Sequence, residues 1–413
     1  MRTIKFLAVF IVVLLPASNL LAQAPALTLE SAVQMFQERN VEVQAARYEI
    51  DRARAEQIAA RVRPNPVFAI TAENFRVSGP TAFDRLYEVG ASYTETIELG
   101  GKRRLRESVA DLTVSAAEAR FEDALRQLQG EVKKSYFEAL LARHNLDIAA
   151  ENRETFEQLV RFNVARFEEG AIAEGDLLKV RLERLKFDSA VKQAELGLSQ
   201  AMVRLLEKLE EPDFSVRPLA GSLEGPLVVL SLESLKEIAL RNRPDLKAAD
   251  SDITLARERL SLEEARAVAD VSPFVGYKRV ASDNTVLFGV TLPLRFRDRN
   301  QGGIARAAAG EQIARGHREV VENSIRVEVE LAFRAYESAR DQVSTFRDEL
   351  LRQADESQMI TLAAYEEGAT ELLPVLEAQR TRSEIRQQYF RTLFEYQASL
   401  VELELAVGGR IQP

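Results

Sequence analysis

The chain has 413 residues, of which 46% are hydrophobic and 29% charged, and its formal net charge is −9. A surface this acidic repels phosphate backbones, which excludes nucleic acid as a partner. There is no Cys and only two His, His144 and His317, so a thiolate or multi-histidine metal centre is excluded by inventory and no cofactor is expected.

Arg2 and Lys5 precede an apolar run over 6–15, then Pro16 and small residues up to Ala22. This reads as a signal peptide over 1–22, with cleavage after Ala22 and no cysteine beyond it to carry a lipid. Past the leader, no apolar run approaches the roughly 20 residues of a membrane helix. Any crossing of a bilayer must therefore use strands in a closed barrel.

The next segment carries apolar residues at three and four spacing, Val33, Phe36, Val43, Ala46, Ile50 and Ala53, which predicts a helix over 28–62. Pro64-Asn65-Pro66 stops it. A matching segment opens at Leu230-Ser231-Leu232-Glu233-Ser234, and Arg243-Pro244-Asp245 predicts a break near Asn242, with Asn40 at the equivalent place in the first copy.

After each opening helix the period changes to two. Tyr87, Val89, Ala91 and Tyr93 alternate with polar or small residues, as do Val286, Phe288, Val290 and Leu292. Strands are expected over 66–77 and 86–97 in the first copy and over 273–280 and 285–294 in the second, with Ser282-Asp283-Asn284 as the second turn. Tyr87, Val89, Tyr93, Val286, Phe288 and Val290 are the candidates for a lipid-facing surface.

Two proline-free helices follow, about 103–167 and 303–366, each ending in a near-identical tip. The tips read Phe167-Glu168-Glu169-Gly170-Ala171 and Tyr365-Glu366-Glu367-Gly368-Ala369, and Gly170 and Gly368 supply the positive φ for a reversal. The hairpin tips are placed at 168–175 and 366–371. A helix of about 65 residues is about 98 Å long, so each repeat is a rod in which two half-length helices lie along one long helix. The fold class is mainly α with a small β part: two tandem repeats of long coiled-coil hairpins over 23–210 and 231–413, a Pro/Gly-rich connector over 211–230, and four membrane strands per chain. Four strands cannot close a barrel, so two or three chains must pool their hairpins.

With this layout, Arg243-Pro244-Asp245-Leu246 with Ala248-Ala249, and Tyr365-Glu366-Glu367-Gly368 followed by Val375-Leu376-Glu377-Ala378, make the chain resemble the TolC-type outer-membrane efflux protein family over its mature length. Pro64-Asn65-Pro66 and Ile97-Glu98-Leu99-Gly100-Gly101-Lys102-Arg103 are most similar to its heavy-metal (cobalt-zinc-cadmium) resistance branch. The resemblance implies a homotrimer with a 12-stranded β-barrel in outer-membrane lipid and an α-helical barrel in the periplasm. It also implies docking on a periplasmic adaptor and an inner-membrane RND-type pump, with heavy-metal cations or drugs as cargo. By position Glu377 matches an acidic member of the family's periplasmic gate, Tyr365 its latch tyrosine and Asp176 the partner of that tyrosine. A second acidic position is held by Pro374 and the basic latch position by Thr370.

No nucleophile, base and orienting group come together, so no enzymatic activity is expected. His144 and His317 read as surface or packing positions. A periplasmic adaptor is the competing class. Two hairpins and two amphipathic strand pairs speak against it.

Overall fold

The computed structural model describes residues 26–75, 78–80, 87–211 and 217–411, so the expected leader and parts of the first strand pair and the connector lie outside it. The element order runs twice through one plan. Helices α1 (Leu29–Arg39) and α2 (Val41–Arg61) lead into strands β1 (Val67–Glu73) and β2 (Glu88–Thr94), then into α3 (Lys102–Glu168) and the return helix α4 (Glu174–Lys208). The second pass is α5 (Leu232–Asn242), α6 (Pro244–Arg266), β3 (Ser272–Val280), β4 (Asp283–Thr291), α7 (Gln301–Thr345), α8 (Leu351–Glu366) and α9 (Leu372–Val407).

Each opening helix breaks where the sequence places the break. Thr28 caps α1 through a reciprocal pair with Ser31. Asn40 then ends α1 and caps α2, its Oδ1 accepting from the backbone N–H groups of Glu42 at 2.9 Å and Val43 at 3.1 Å. Its Nδ2 donates to the Lys208 carbonyl at 3.2 Å, closing the end of the return helix. In the second repeat Arg243 stands at the break and also reaches the end of its return helix, without capping α6 through its side chain. Its guanidinium is 4% exposed, bidentate on Asp245 at 2.9 and 2.6 Å, and bonded to Glu328 at 2.7 Å and to the Ala406 carbonyl at 3.1 Å. The break at Pro244 thus receives the end of α9, where Gly408 at φ 81 lies so close that a Cβ on it would meet the Arg243 Cα at 3.1 Å.

The long helix α3 has 67 residues, about 100 Å at 1.5 Å per residue. Its counterpart is one continuous rod from Gln301 to Glu366, but with a five-residue π turn at Phe346–Leu350 that the sequence did not disclose. α4 and α9, at 35 and 36 residues, run only half as far. α3 packs on α4 and α2 within its own repeat and on α6 and α9 of the other, so the two repeats form one bundle.

The main core lies midway along the rods, where the connector crosses. Tyr136, Tyr336 and Tyr396 are fully buried and turn their hydroxyls onto it. Tyr136 donates to the carbonyls of Leu27, at 3.0 Å, and Ala220; Tyr336 to Val228 at 2.5 Å; Tyr396 to Pro226 at 2.9 Å. Leu223 of the strap is wholly buried. Burial pushes the Tyr136 phenol up to about 12, so it remains a donor at physiological pH.

The four strands form a single antiparallel sheet in the order β1-β2-β3-β4. The second turn is tighter than expected. Val280 pairs with Asp283 across Ala281-Ser282, with Ala281 at φ 51, so Asp283 and Asn284 belong to the strand. β4 ends at Thr291, because Pro293 has no N–H for the ladder.

Tyr136→Phe should leave the Ala220 carbonyl without its donor and cost about 1–3 kcal/mol. The expected result is a lower unfolding temperature by circular dichroism in detergent with unchanged helix content; an unshifted transition would show that this hydroxyl does not hold the strap.

Candidate functional site: the apolar sheet face and the hairpin tips

Residues directly opposite in an antiparallel pair share a face. The register aligns Phe68 with Tyr93, Val275 and Phe288, and Ile70 with Ala91, Tyr277 and Val286. One face therefore carries Phe68, Ile70, Val89, Ala91, Tyr93, Val275, Tyr277, Val286, Phe288 and Val290. Most of these are exposed, Phe288 to 86%. Val89, Ala91, Tyr93, Val286, Phe288 and Val290 of the period-two set lie on this face, joined by Phe68, Ile70, Val275 and Tyr277 of β1 and β3. Tyr87 precedes β2.

The opposite face is mixed: Thr71, Glu73, Glu88, Gly90, Ser92, Gly276, Lys278, Thr285 and Gly289 share it with Val67, Phe274, Val280 and Leu287. Lys278 is ion-paired with Glu88 and lies 3.5 Å from Glu73. The glycines make room on this side, since a Cβ on Gly289 would meet the Phe274 ring at 2.6 Å. A largely apolar face and one carrying most of the sheet's charged and small residues, on nine-residue strands, suit a wall between lipid and a watery lumen.

At the far end of the rods the two tips reverse alike. Gly170 at φ 74 and Gly368 at φ 77 each follow a helix end, and each next alanine bonds back at 2.8 Å, Ala171 to Arg166 and Ala369 to Ala364. These are left-handed caps that a Cβ would strain.

Tyr365 is 5% exposed in an apolar cluster with Phe156, Leu159, Val180 and Val375. Its hydroxyl donates to Asn163 Oδ1 at 2.6 Å, and the Arg166 guanidinium lies over the rings of Phe162 and Tyr365 at 5.6 and 5.5 Å. The expected pairing of Tyr365 with Asp176 is not formed. The cluster draws the ring inward onto α3, while Asp176, in the exposed first turn of α4, takes Lys179 at 3.0 Å.

Glu377 is exposed on α9 and makes no ion pair among the described residues. Above it, α9 meets α3 through a polar seam that sequence reasoning missed. Gln379 Nε2 donates to Asn152 Oδ1 at 2.9 Å, Asn152 Nδ2 donates to Ser383 at 2.8 Å, and Gln379 Oε1 is buried without a partner among the described residues. Arg382 and Arg386 bind Glu151 at 3.0 and 2.6 Å. Partial burial is the largest single effect and raises the Glu151 carboxyl, but the hydrogen bonds and charges of Arg382 and Arg386 together outweigh it and hold the group below its usual range.

Several helix faces are apolar and uncovered. Leu178, Leu182, Leu185, Leu196 and Val203 form a stripe on α4, and Ile313, Val320, Val327 and Leu331 another on α7, all exposed at heptad-like spacing. No helix of the described residues is long and apolar enough to cross a membrane.

A four-stranded amphipathic sheet standing on rods about 100 Å long defines an outer-membrane channel-type protein. The family profile described as outer membrane efflux protein matches residues 32–209 and 235–409, and the chain belongs to that family. It is 27% identical over 378 residues to the cobalt-zinc-cadmium resistance protein CzcC of Cupriavidus metallidurans, covering 90% of this chain and 88% of that one. It is 24% identical to the cation efflux system protein CusC of Escherichia coli K12, covering 81% and 75%. A crystal structure of CusC superposes with a TM-score of 0.75 at 21% identity over 92% of each chain. The protein is an outer-membrane efflux component.

Tyr365→Phe should strand Asn163 Oδ1 in an apolar cluster and loosen the second tip by about 1–3 kcal/mol, whereas Tyr365→Phe with Asn163→Leu should recover most of the loss. Hydrogen exchange over 156–170 reads both; equal protection in the single variant and the native protein would dismiss the hydroxyl as a strut.

Proposed function

We propose that the protein is the passive duct of a tripartite efflux system, a homotrimer that carries substrate from the periplasm to the exterior. The observation that carries this reading is the sheet. One face is largely apolar, the other carries most of the sheet's charged and small residues, and the outer edges of β1 and β4 are unpaired among the described residues. Unpaired strand edges are not tolerated in hydrocarbon, so β4 of one copy must meet β1 of the next. Three copies give a barrel of about 12 strands, wide enough for a lumen, where two would give about eight with an interior filled by side chains. The apolar stripes on α4 and α7 support the same closure. They lie in the first and second repeats respectively, as β1 and β4 do, and neighbouring copies would cover them.

The tips would dock on a periplasmic adaptor and an inner-membrane RND-type pump, which supplies the energy. Three Glu377 carboxylates converging on the axis would repel one another and concentrate cations at the entrance. Tyr365, locked onto Asn163, would steady the second hairpin from behind, and Asp176 would add its charge from the first. Heavy-metal cations are the proposed cargo, on the strength of the similarity to CzcC and CusC.

In planar bilayers the native protein should conduct, and Glu377→Ala should lower its preference for cations; identical single-channel behaviour would remove Glu377 from the gate. Detergent-extracted protein should weigh as three chains. A monomer that stays soluble without detergent would overturn the duct, and a deletion strain sensitised to drugs but not to cobalt, zinc or cadmium would overturn the cargo.

A further inference from the structure

The duplication provides an internal comparison where each strand pair hands over to its long helix. Counting back from the left-handed residues that start α3 and α7, Gly101 at φ 72 and Asn300 at φ 61, aligns Ile97 with Phe296 and Glu98 with Arg297. In the first repeat this stretch is bound into the fold. Ile97 exchanges backbone hydrogen bonds with Val271 at 2.8 and 3.1 Å, and the Glu98 carboxylate is held by both arms of Arg106. In the second repeat the charge is reversed, and Ala305 stands where Arg106 would answer it.

Arg297 and Arg299 make no side-chain hydrogen bond or ion pair among the described residues, yet their backbone is fixed. Gln301 donates to the Arg297 carbonyl at 3.1 Å and accepts from the Arg299 N–H at 2.9 Å. Asn300 is tied to Glu263 at 2.8 and 2.7 Å, and Gly303 is required beside it because a Cβ there would sit 2.3 Å from Asn300 Oδ1. The one acid between the arginines, Asp298, already accepts from the Asn300 N–H at 2.9 Å. A braced bend therefore presents two guanidinium groups with no counter-ion of their own.

The apolar face of β4 also runs on past the last paired residue. Val286, Phe288 and Val290 continue in step as Leu292, Leu294 and Phe296, the last two exposed to 73% and 66%. From Val286 to Val290 the face covers about 13 Å along the strand, or about 10 Å of height at a barrel tilt near 40°, well short of the ~25 Å apolar band of an outer-membrane barrel. Beyond Thr291 the alternation continues through Leu292, Leu294 and Phe296 outside the ladder and ends in a bend at 296–297, so this arm extends the apolar surface towards the two arginines.

We propose that Leu292, Leu294 and Phe296, with Arg297 and Arg299, form a binding site for an anionic glycerophospholipid of the periplasmic leaflet, the guanidinium groups taking its phosphate. This rests on the duct reading, which places the helix side of the barrel in the periplasm. Forked guanidinium groups suit phosphate oxygens, and an interfacial arginine is worth about fivefold in binding to an anionic surface.

The test titrates the purified, detergent-solubilised oligomer with phosphatidylglycerol or phosphatidylcholine and counts bound lipid by native mass spectrometry. The native protein should prefer phosphatidylglycerol, and Arg297→Gln/Arg299→Gln should bind it roughly 25-fold more weakly, with phosphatidylcholine unchanged. Equal binding of the two lipids by the native protein, or an unaltered phosphatidylglycerol affinity in the variant, would overturn the site. So would full displacement of the lipid by millimolar inorganic phosphate, which would make it a free-anion site. Conductance of the same samples separates the two ideas: channels in both proteins leave the duct intact whatever the lipid result, and silence in both fails the duct alone.

Discussion

Everything in this chain answers to a backbone constraint. Hydrocarbon provides no water for an exposed N–H or C=O group, and each such group left unpaired costs several kcal/mol. The sheet pairs β1 with β2, β2 with β3 and β3 with β4, and among the described residues leaves the edges of β1 and β4 open. Seven- and nine-residue edges would expose several such groups each, a cost comparable to the whole stability of an ordinary domain. The single chain is thus an incomplete object in the membrane. Its edges carry the demand for further copies more strongly than the helices do, because a coiled coil left without a neighbour remains fully hydrogen-bonded.

The rods meet a different problem. A bundle about 100 Å long has no compact centre, and its stability must come from places where several elements converge. Here that place is the middle, where α1, α5 and the connector join α3, α7 and α9 in one apolar cluster. Three buried tyrosines satisfy carbonyls of a strap that has little secondary structure of its own. Asn40 and Arg243, from unrelated residue types, close the ends of the two half-length return helices at the same level. Duplication has kept the joint and changed its chemistry.

Much of this was legible in the sequence because it rests on periodicity and on Gly and Pro. The limits of α3 came within a residue or so of expectation, since Gly101, Gly170 and the absence of proline define them. The break at Asn40 was readable from its mirror at Pro244. The π turn at Phe346–Leu350 was not, because one extra residue per turn leaves no compositional mark. Nor was the seam of Asn152, Gln379 and Ser383: amides in a long helix read as solvated until a second helix is known to cover them. The gate residues show the same limit. Position alone could pair Tyr365 with Asp176, but the ring is governed by what lies around it, and Phe156, Leu159 and Val375 come from elements far apart in the chain.

The two tips, alike in backbone, differ in how they hold charge. In the first, Asp176 and Lys179 pair within one turn of α4, an exposed pair worth at most about 1 kcal/mol. In the second, Lys179 is matched in register by Glu377, which stands alone, and the apolar cluster beside it is pinned by Tyr365 and Asn163. Behind that cluster the contact of α9 with α3 is made by amides and by the Glu151 pairs with Arg382 and Arg386. Polar contacts of this kind exchange partners at low cost when water reaches them, whereas interdigitated apolar layers do not. The second hairpin therefore differs from the first in holding its return helix through a buried polar seam, with an exposed acid beyond it and the π turn of Phe346–Leu350 where the rod leaves the central core.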